Sequence, residues 1–398
     1  MYIWGKDQSL YGRLLYPLQL KLAAQQRVNQ VAKQEFAGKT PNLFVGRYGY
    51  PNVNIGLLNV EEYAHHDDPA HWSAHNTSIP EIIDLRSALI NSQFRANIRQ
   101  RGAKFLELSR EIAMADRPTA VEVSLDRKPN FHLNFDTELM PHGPRAGLVK
   151  AKATENPHIP MKVEKIVDQN DLKATAAVAL LADKGVDEHY LTRLLSAGTL
   201  GIPTERKLVP TRWSITATDD MLGKQHIADV KEHPLHDYAA YFGGKYGNYY
   251  LLLCFPEVWS YELFETYVGT AHHIEGRRWS TDHEPYAGRK SYAVNTVGGY
   301  YAARLAIAEA LNHQKRQATI LALRFITDEY LVPLGVWVVR EATRAAMSSR
   351  SVGFASAELM LTYVQQIVRK KFGFDLRPIF QESVILRTKA VQRKLTAY

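Results

Sequence analysis

The order of apolar and polar residues changes its period along the chain, which predicts a mixture of helices and strands. Residues 80–93 have apolar positions near helical spacing and predict a helix. Residues 120–125 and 131–135 alternate apolar with polar side chains around a Lys-Pro-Asn turn, and such alternation is typical of a hairpin. Short apolar runs with turn-forming residues, such as 44–53, occupy much of the remaining N-terminal part.

Two short helices are predicted in the middle of the chain. The first covers residues 171–183 and is terminated by the following Gly185. The second begins at Asp187 and is terminated by Gly198. A helix, a short turn and a helix are typical of a DNA-reading helix-turn-helix, but also of any packed pair of helices. No recognition-helix pattern accompanies the pair, so the sequence favours ordinary packing and leaves the DNA-reading interpretation open.

Strands and helices alternate in the second half of the chain. Residues 249–255 are apolar enough to form a strand that is buried on both faces. A helix is predicted at 298–311 and a second buried strand at 318–325, with a further apolar run at 334–339. These elements predict a mixed α/β or α+β fold, in a compact globular protein of several parts, but not the order of its strands.

Composition limits the class of protein. The 398 residues are 45% apolar and 23% charged, as in a globular protein of about two domains. The single cysteine, Cys254, can form neither an intrachain disulfide nor a thiolate zinc site, and in its apolar run it is expected to be a core residue. We find no signal-peptide pattern and no run near the roughly 18 apolar residues of a membrane span, so we expect a cytoplasmic protein without membrane contact.

The formal charge of +8 is concentrated at the C-terminal end. Residues 369–398 contain eight Lys or Arg and two Asp or Glu. Such a basic tail favours the phosphate backbone of nucleic acid or an acidic partner surface, although a solvated terminal helix has the same composition.

Residues 212–224 concentrate side chains suited to phosphate or metal chemistry. If residues 212–218 are extended, every second side chain faces the same surface, and these side chains are Arg212, Ser214, Thr216 and Thr218. Asp219 and Asp220 are catalytic candidates, because paired aspartates can bind magnesium or act as a base. The alternative is a capped turn before a helix, with one of these aspartates as the N-cap. The candidates for binding nucleic acid or phosphate are Arg212, Trp213 and Lys224.

Residues 277–304 form a second polar segment, and we expect it to meet the first at one concave surface. Asp282 and Glu284 are catalytic candidates, and Gly298 and Gly299 open a helix whose amides could receive an anion. Arginines suit phosphates and tyrosines suit stacking on bases, although tyrosines at a helix start usually pack into the core. The candidates for binding nucleic acid or phosphate are Arg277, Arg278, Arg289, Tyr300, Tyr301 and Arg304.

Histidines are densest in residues 65–75. His71 and His75 are four residues apart and would share one face of a helix, as zinc ligands do. Pro69 and the polar residues around it favour a surface loop instead, so no metal site is predicted. No cofactor is predicted either, while a divalent metal is left open for the acidic residues of the two polar segments.

Several longer motifs resemble the archaeal Nre family of DNA repair proteins, over nearly the whole chain. The most specific are KLVPTRWSITATDDMLGK at 207–224 and GGYYAARL at 298–305. The resemblance implies a role in DNA repair, contact with DNA and a C-terminal motif that binds the sliding clamp (PCNA), but no settled reaction. It also implies an N-terminal family region over 1–275 with a sub-boundary near 150, a C-terminal region over 276–380 and a clamp-binding tail over 381–398.

One segment departs from the family. Many members begin with a cysteine-rich segment that resembles a zinc finger, whereas Tyr11 and Tyr16 stand here where cysteines are expected. Structural zinc sites use thiolates and imidazoles, so we expect no finger.

The final residues, VQRKLTAY at 391–398, resemble the clamp-binding motif, in which a glutamine, an aliphatic and an aromatic residue are spaced by three. In a short helical turn, Leu395 and Tyr398 eclipse each other and form an apolar plug, with Gln392 at its rim. The motif has one aromatic residue where two are common, so we expect modest affinity.

These observations lead to three hypotheses. The leading one is a DNA repair protein that the clamp recruits to DNA. The second is an enzyme that acts on nucleic acid or a nucleotide in a cleft lined by arginine, aspartate and tyrosine. The sequence has no Walker loop, Gly-x-Ser-x-Gly elbow or dinucleotide fingerprint that would assign such an enzyme to a familiar class. The third is a structural adaptor without a cleft.

Overall fold

The chain has the predicted α+β fold. A computed structural model describes residues 33–129, 143–268, 279–330 and 332–391, with three isolated positions before them. These residues contain twelve helices and eleven strands. The chain divides into two compact units, Met1–Leu222 with Val332–Leu334 and Gly223–Leu331 with Gly335–Tyr398. This division falls after Leu222, whereas the regions expected from the sequence change near residue 275.

The first unit contains a closed barrel of five strands. Their order is β1-β2-β3-β5-β4, with β4 pairing back on β1, and the only parallel neighbours among them are β3 and β5. The strands are β1 (Glu35–Val45), β2 (Asn52–Val60), β3 (Ile90–Asn97), β4 (Thr119–Leu125) and β5 (Arg145–Ala153).

Strand β1 closes the barrel because it pairs on both of its edges. Its first half pairs with β4 and its second half with β2, and the register shifts between Lys39 and Asn42. At Gly38 a Cβ atom would lie 2.4 Å from the carbonyl oxygen of Val60. Glycine therefore allows the two backbones to approach closely at the point where the strand turns from one partner to the other.

Six helices also belong to the first unit: α1 (Pro69–His75), α2 (Ile79–Ala88), α3 (Lys104–Met114), α4 (Met161–Val167), α5 (Ala174–Asp183) and α6 (Glu188–Ser196). The predicted helical pair is confirmed as α5 and α6, and Asp187 caps α6 by accepting hydrogen bonds from the amides of His189 and Tyr190, both at 2.9 Å. The prediction of one helix over residues 80–93 is wrong beyond Ala88. Residues 90–93 form β3 instead, because pairing with β2 and β5 overrides the helical spacing of their apolar side chains.

The strand order and one helix identify the barrel. An order of 1-2-3-5-4 with a helix between the third and fourth strands is that of the OB fold, in which many proteins bind oligonucleotides or oligosaccharides. Here α3 lies between β3 and β4, and its Leu106 and Ile112 pack into one core with Val53 and Val121 of the strands. Of the predicted hairpin, β4 is confirmed, and residues 131–135 lie outside the described residues.

The second unit is built on a six-stranded sheet. Its order is β11-β6-β7-β10-β8-β9, and neighbouring strands are antiparallel except β10 and β8. The strands are β6 (Ala239–Lys245), β7 (Asn248–Phe255), β8 (Ser260–Tyr267), β9 (Trp279–Glu284), β10 (Thr319–Ile326) and β11 (Val352–Gly353). The long helix α7 (Thr211–Val230) contains the boundary between the two units.

Helices cover both faces of this sheet, and they are α8 (Val297–Gln314), α9 (Trp337–Met347), α10 (Ala357–Phe372), α11 (Arg377–Glu382) and α12 (Val384–Val391). On β7, Leu252 and Cys254 pack with α8 and α9, whereas Leu251 and Leu253 pack with α10 to α12. The predicted strand at 249–255 is therefore confirmed as buried on both faces. Burial raises the pKa of Cys254 to about 12, as expected for a thiol in the core.

The last described helix is anchored on β8 by a buried carboxylate. Glu262, 1% exposed, accepts a hydrogen bond from the Ser383 hydroxyl at 2.6 Å and from the amides of Val384 and Ile385 at 2.9 and 3.1 Å. A negative charge at a helix N-terminus satisfies amides that have no partner within the helix. Residues 381–391, the first part of the expected tail, are therefore folded, and residues 392–398 lie outside the described residues.

Within the described ranges, none of the helices is long and apolar enough to cross a membrane.

Candidate functional site

Exposed aromatic side chains gather on the first unit, at the turn between β1 and β2 and at the start of α7. Tyr48, Tyr50 and Trp213 are 77%, 44% and 45% exposed. The ring centroids of Tyr50 and Trp213 lie 5.3 Å apart, with the planes tilted by 51°. Aromatic rings with so much exposed area add little to the core, and a group of them on a surface is typical of a binding site.

Arginines accompany these rings. The guanidinium of Arg47 lies 5.1 Å from the ring centroid of Tyr48, and Arg212 is exposed on α7 beside Trp213. Arg95, exposed on β3, reaches the same turn, because its Nη2 would lie 3.4 Å from a Cβ atom at Gly49. We call this set the aromatic–arginine surface; its members are Arg47, Tyr48, Tyr50, Arg95, Arg212 and Trp213.

The turn that carries the two tyrosines is fixed by its own hydrogen bonds. The Asn52 amide donates to the Gly49 carbonyl, and the Gly46 amide to the Asn54 carbonyl, both at 2.8 Å. Gly49 has a φ of +80°, and a Cβ atom there would also lie 2.8 Å from the carbonyl oxygen of Asn52. Glycine is therefore required at this position, and the backbone holds Tyr48 and Tyr50 on a defined turn.

The segment 212–218 is not extended as predicted but helical, as the first two turns of α7. Helix formation separates the side chains that a strand would have aligned: Arg212 is exposed, whereas Ser214 and Thr218 are buried. The alternative, a capped turn near residue 219, is also wrong, because Asp219 and Asp220 lie in the middle of α7, where both are buried. The helix begins at Thr211, whose hydroxyl accepts a hydrogen bond from the Val45 amide of β1 at 2.9 Å. Lys224, further along α7, is exposed.

In the second unit, several candidate residues surround the carboxylate of Glu284. This carboxylate accepts hydrogen bonds from the Trp259 indole at 3.1 Å, the Tyr300 hydroxyl at 3.1 Å and the Arg304 guanidinium at 2.8 Å. All four residues are at most 2% exposed. Burial, and then the Glu284 charge, raise the pKa of Tyr300 far above its usual range. These four side chains form a buried polar network inside the unit.

Asp282 holds the chain segment that leads into α8. Its carboxylate accepts hydrogen bonds from the amides of Asn295 and Thr296 at 2.9 and 2.8 Å and pairs with Arg289 at 3.2 Å. The hydroxyl of Tyr301 accepts a hydrogen bond from the Ala293 amide at 2.8 Å. The structure thus brings together six of the candidate residues, Asp282, Glu284, Arg289, Tyr300, Tyr301 and Arg304, but five of them are buried and Arg289 is partly covered. Arg277 and Arg278 lie outside the described residues.

The two glycines of this segment lie at the start of α8. A Cβ atom at Gly299 would lie 2.3 Å from Oε1 of Glu265, which pairs with Arg324 at 2.6 Å. A Cβ atom at Gly298 would lie 3.0 Å from the Val336 side chain. Close packing within the unit therefore explains both glycines.

A pocket of about 250 Å³ in the first unit was not foreseen from the sequence. Its polar lining includes Asp68, Asp116, Asp187, Tyr63, Tyr190 and Arg193. Burial raises the pKa of Tyr63 and of Tyr190 to about 12, so both hydroxyls are protonated at neutral pH. The residues come from separate loops and helices, and no spacing in the chain signals their meeting.

Arg193 joins the walls of this pocket. Its guanidinium donates to the carbonyls of Pro41 at 2.8 Å, Ala113 at 3.1 Å and Ala115 at 2.5 Å. It also lies 4.6 Å from the ring centroid of Tyr190. A partly buried cation that binds three carbonyls fixes the pocket wall and leaves four aspartates, Asp67, Asp68, Asp116 and Asp187, as its acidic side.

The histidine-rich segment lies partly on a helix and not in a loop as expected, because Pro69 is the first residue of α1. Nδ1 of His65 lies 2.8 Å from the Asp68 carboxylate, and the His65 and His71 rings are stacked with centroids 3.6 Å apart. His65, Asp68 and His71 each offer one possible ligand atom for a metal ion, and these three atoms all lie within 4.8 Å of one another. Desolvation, and then the neighbouring His65 and His75, lower the pKa of His71.

Comparison with known proteins gives a consistent result along the chain. A family model described as archaeal Nre, N-terminal, matches residues 10–273, and one described as archaeal Nre, C-terminal, matches residues 284–398. DNA repair protein NreA of Haloferax volcanii is 37% identical over 325 residues, which are 78% of this chain and 77% of the relative. DNA repair protein NreB of Archaeoglobus fulgidus is 35% identical over 373 residues, 91% of each chain. DNA repair protein NreA of Archaeoglobus fulgidus is 36% identical over 339 residues, 83% of this chain and 84% of the relative. No solved structure matches significantly.

Proposed function

This chain belongs to the archaeal Nre family, and from this we propose that it acts in DNA repair, recruited to DNA by the sliding clamp (PCNA) through Gln392, Leu395 and Tyr398. The repair role is supported by the three relatives, each named a DNA repair protein. The observation that carries the recruitment is the motif Gln-x-x-Leu-x-x-Tyr, which lies inside the segment matched by the C-terminal family model.

The spacing of the motif has a mechanical reason. In a short helical turn, residues three apart lie above one another, so Leu395 and Tyr398 can enter one apolar pocket together. Gln392 then lies at the rim, where its amide can hydrogen-bond to the clamp backbone. Burial of each apolar side chain contributes about 1.5–3 kcal/mol to binding.

The anchoring of α12 supports this proposal. Glu262 and the core contact of Ile385 fix the helix that ends at residue 391, and the motif begins at the next residue. Lys389 is paired with Glu257 and lies 4.7 Å from the ring centroid of Phe255. Because Lys389 already forms an ion pair within the protein, we expect Arg393 and Lys394 to be the residues that attract an acidic clamp surface.

Calorimetry with the full chain and the clamp of the same organism tests the recruitment. The double variant Leu395→Ala and Tyr398→Ala should abolish binding, because both apolar anchors are removed, while the melting temperature stays unchanged. Thr396→Ala is the matched control, since it changes a neighbouring position that is not an anchor. Undiminished binding by the double variant would overturn the recruitment proposal.

The pocket around Arg193 favours a second candidate function, an enzyme that acts on nucleic acid or a nucleotide. It is lined by arginine, aspartate and tyrosine, as that hypothesis requires, although its residues are not the candidates that the sequence indicates. The expected meeting of residues 212–224 with residues 277–304 involves both units and stays a prediction.

Turnover assays test this second function. Nucleotides and labelled DNA would be incubated with the full chain and divalent metals, with Asp116→Asn as the variant of the pocket and Glu232→Gln, an exposed position of the second unit, as the control. Turnover that is lost in Asp116→Asn but kept in Glu232→Gln would support an enzymatic function. A wild-type protein without turnover on any of these substrates would argue against it and leave the recruitment proposal untouched.

A further inference from the structure

We propose that the aromatic–arginine surface of the first unit binds single-stranded DNA. This inference rests on the proposed role in DNA repair and names the form of DNA that the protein contacts. The position of the surface is the first argument. In OB folds, oligonucleotides bind on the outer face of the second and third strands and on the adjoining loops, among them the loop between the first two strands. Tyr48 and Tyr50 lie on that loop, and Arg95 lies on β3.

The second argument is the chemistry of the side chains. Every base of a single strand has two exposed π-faces, and OB folds bind such strands by stacking bases on aromatic rings. Tyr48, Tyr50 and Trp213 offer exposed rings, and the Tyr50 and Trp213 rings are tilted against each other rather than stacked. Neither ring is therefore covered face to face by the other.

The third argument is charge. Arg47, Arg95 and Arg212 place three guanidinium groups among the rings, where they can meet phosphates. The neighbouring outward positions of β2 and β3 are occupied by Asn54 and Asn97, and neither carries a negative charge. A duplex would present its phosphates to such a surface but would hide its base faces, so the rings favour a single strand over a duplex.

Fluorescence anisotropy with a labelled 12-nucleotide oligothymidine and with a labelled duplex tests the proposal on the full chain. The single strand should bind more tightly than the duplex. Tyr48→Ala and Trp213→Ala should each raise the Kd for the single strand about 10-fold, the equivalent of one lost stacked base. Trp213→Phe keeps a ring and should restore most of the affinity.

Arginine variants give an independent readout. Arg47→Ala and Arg95→Ala should each lower the slope of log K against log salt by about 0.7, the value for one lost phosphate contact on a single strand. Tyr286→Ala is the matched control, because this tyrosine is 46% exposed on the second unit and outside the surface. It should leave both the Kd and the slope unchanged.

Three outcomes would overturn the inference. One is equal affinity for single strand and duplex with equal losses in the alanine variants, which would indicate a duplex surface. Another is single-strand binding that no variant of the surface weakens. The third is a wild-type protein that binds the clamp but no DNA, which would leave recruitment standing and point to a protein partner for this surface.

A different observation carries a second inference: we infer that His65, Asp68 and His71 bind a divalent transition-metal ion such as Zn²⁺. The ligand atoms of these residues lie within 4.8 Å of one another. Two ligand atoms about 2.1 Å from a tetrahedral ion lie about 3.4 Å apart, and Nδ1 of His65 already lies 2.8 Å from the Asp68 carboxylate. The stacked rings of His65 and His71 would turn apart so that a nitrogen of each points at the ion, which would replace the hydrogen shared by His65 and Asp68.

The backbone around these ligands is held in place. The indole of the fully buried Trp72 donates to the His65 carbonyl at 2.8 Å, and the Asp68 carboxylate accepts from the His71 amide at 3.0 Å. Three protein ligands leave one position of a tetrahedral ion open, as in catalytic zinc sites. Asp68 also lines the pocket around Arg193, so an ion here would lie at the edge of that pocket.

Calorimetric titration of the full chain with Zn²⁺ tests the metal site, with metal content measured after dialysis. His65→Ala and His71→Ala should each weaken binding at least 10-fold. Asp68→Asn can keep the bond to the His71 amide but loses the charge, so it should weaken Zn²⁺ binding without unfolding α1. His158→Ala, at an exposed histidine that pairs with Asp116, is the control and should bind as the wild type does. Zn²⁺ binding that is absent, or equally strong in all four variants, would overturn the inference.

Discussion

Tyrosine, tryptophan and arginine form an exposed group in the first unit and a buried group in the second, and the two groups have opposite uses. In the first unit, Tyr48 and Trp213 are 77% and 45% exposed, whereas Tyr300 and Arg304 in the second unit are 0% and 2% exposed. The exposed set has no carboxylate among its members, while the buried set is organised around the carboxylate of Glu284. The same residue types therefore make a surface for a partner in one unit and an internal support in the other.

The local backbone decides between these two uses. Residues 300–308 of α8 are all buried, and a helix that is covered on every side must place its tyrosines and arginine in the core, where each polar group needs a partner. Tyr48 and Tyr50 lie on a turn between two strands, where side chains point into solvent. Residue type alone cannot identify a binding surface, and the position of each residue in the fold is required.

The largest expected effect comes from removing the centre of the buried network. Glu284→Ala would remove the buried carboxylate that accepts hydrogen bonds from Trp259, Tyr300 and Arg304, and we expect a loss of about 3–5 kcal/mol in the free energy of unfolding. Urea unfolding measures it, with Glu232→Ala as an exposed control. A loss no greater than that of the control would show that the network does not support the fold, and the contrast between the two units would fail.

A smaller effect is expected at the buried carboxylate on the other face of the sheet. Glu262→Ala would leave the Ser383 hydroxyl and the first amides of α12 without their acceptor, and we expect a cost of about 1–3 kcal/mol. In this variant, the rate of hydrogen exchange should increase over that of the wild type more in residues 384–391 than in β7. If exchange rose equally throughout the second unit, Glu262 would support the whole sheet and not mainly the terminal helix.

The smallest effect is expected on the exposed surface. Tyr48→Ala should change the free energy of unfolding by no more than about 0.5 kcal/mol, because an exposed side chain contributes little to folding. Thermal and urea unfolding both measure this. A loss of several kcal/mol would mean that Tyr48 supports the barrel, and the surface could not be separated from the core by mutation.

Elements with a strong local pattern were predictable from the sequence. The apolar run at 249–255 forms β7, and the pair of helices beside Gly185 is α5 and α6, since the length of each pattern and the turn residues beside it favour one type of element. Residues 212–218 misled because their β-branched and aromatic side chains suit a strand, whereas the fold places them in a helix of 20 residues. Interactions with the rest of the protein outweighed local preference there.

The strand order of the barrel could not be predicted, because it depends on pairings between distant residues. β1 pairs with β4 about 85 residues later, and β3 lies beside β5 across α3 and β4. Without this order, the turn at residues 46–51 resembles many other polar turns, and the sequence does not distinguish its tyrosines from others. The histidine group was visible in the sequence, but its geometry depends on the indole of Trp72 and on the helix start at Pro69.

Cys254 has a practical consequence for labelling this protein. Its sulfur is buried in the sheet of the second unit, and its raised pKa keeps it in the unreactive thiol form at neutral pH. Since the chain has no other cysteine, a maleimide dye should leave the native protein almost unlabelled. A single substitution such as Tyr286→Cys would then accept one fluorophore at one known position, with no need to remove a native thiol first.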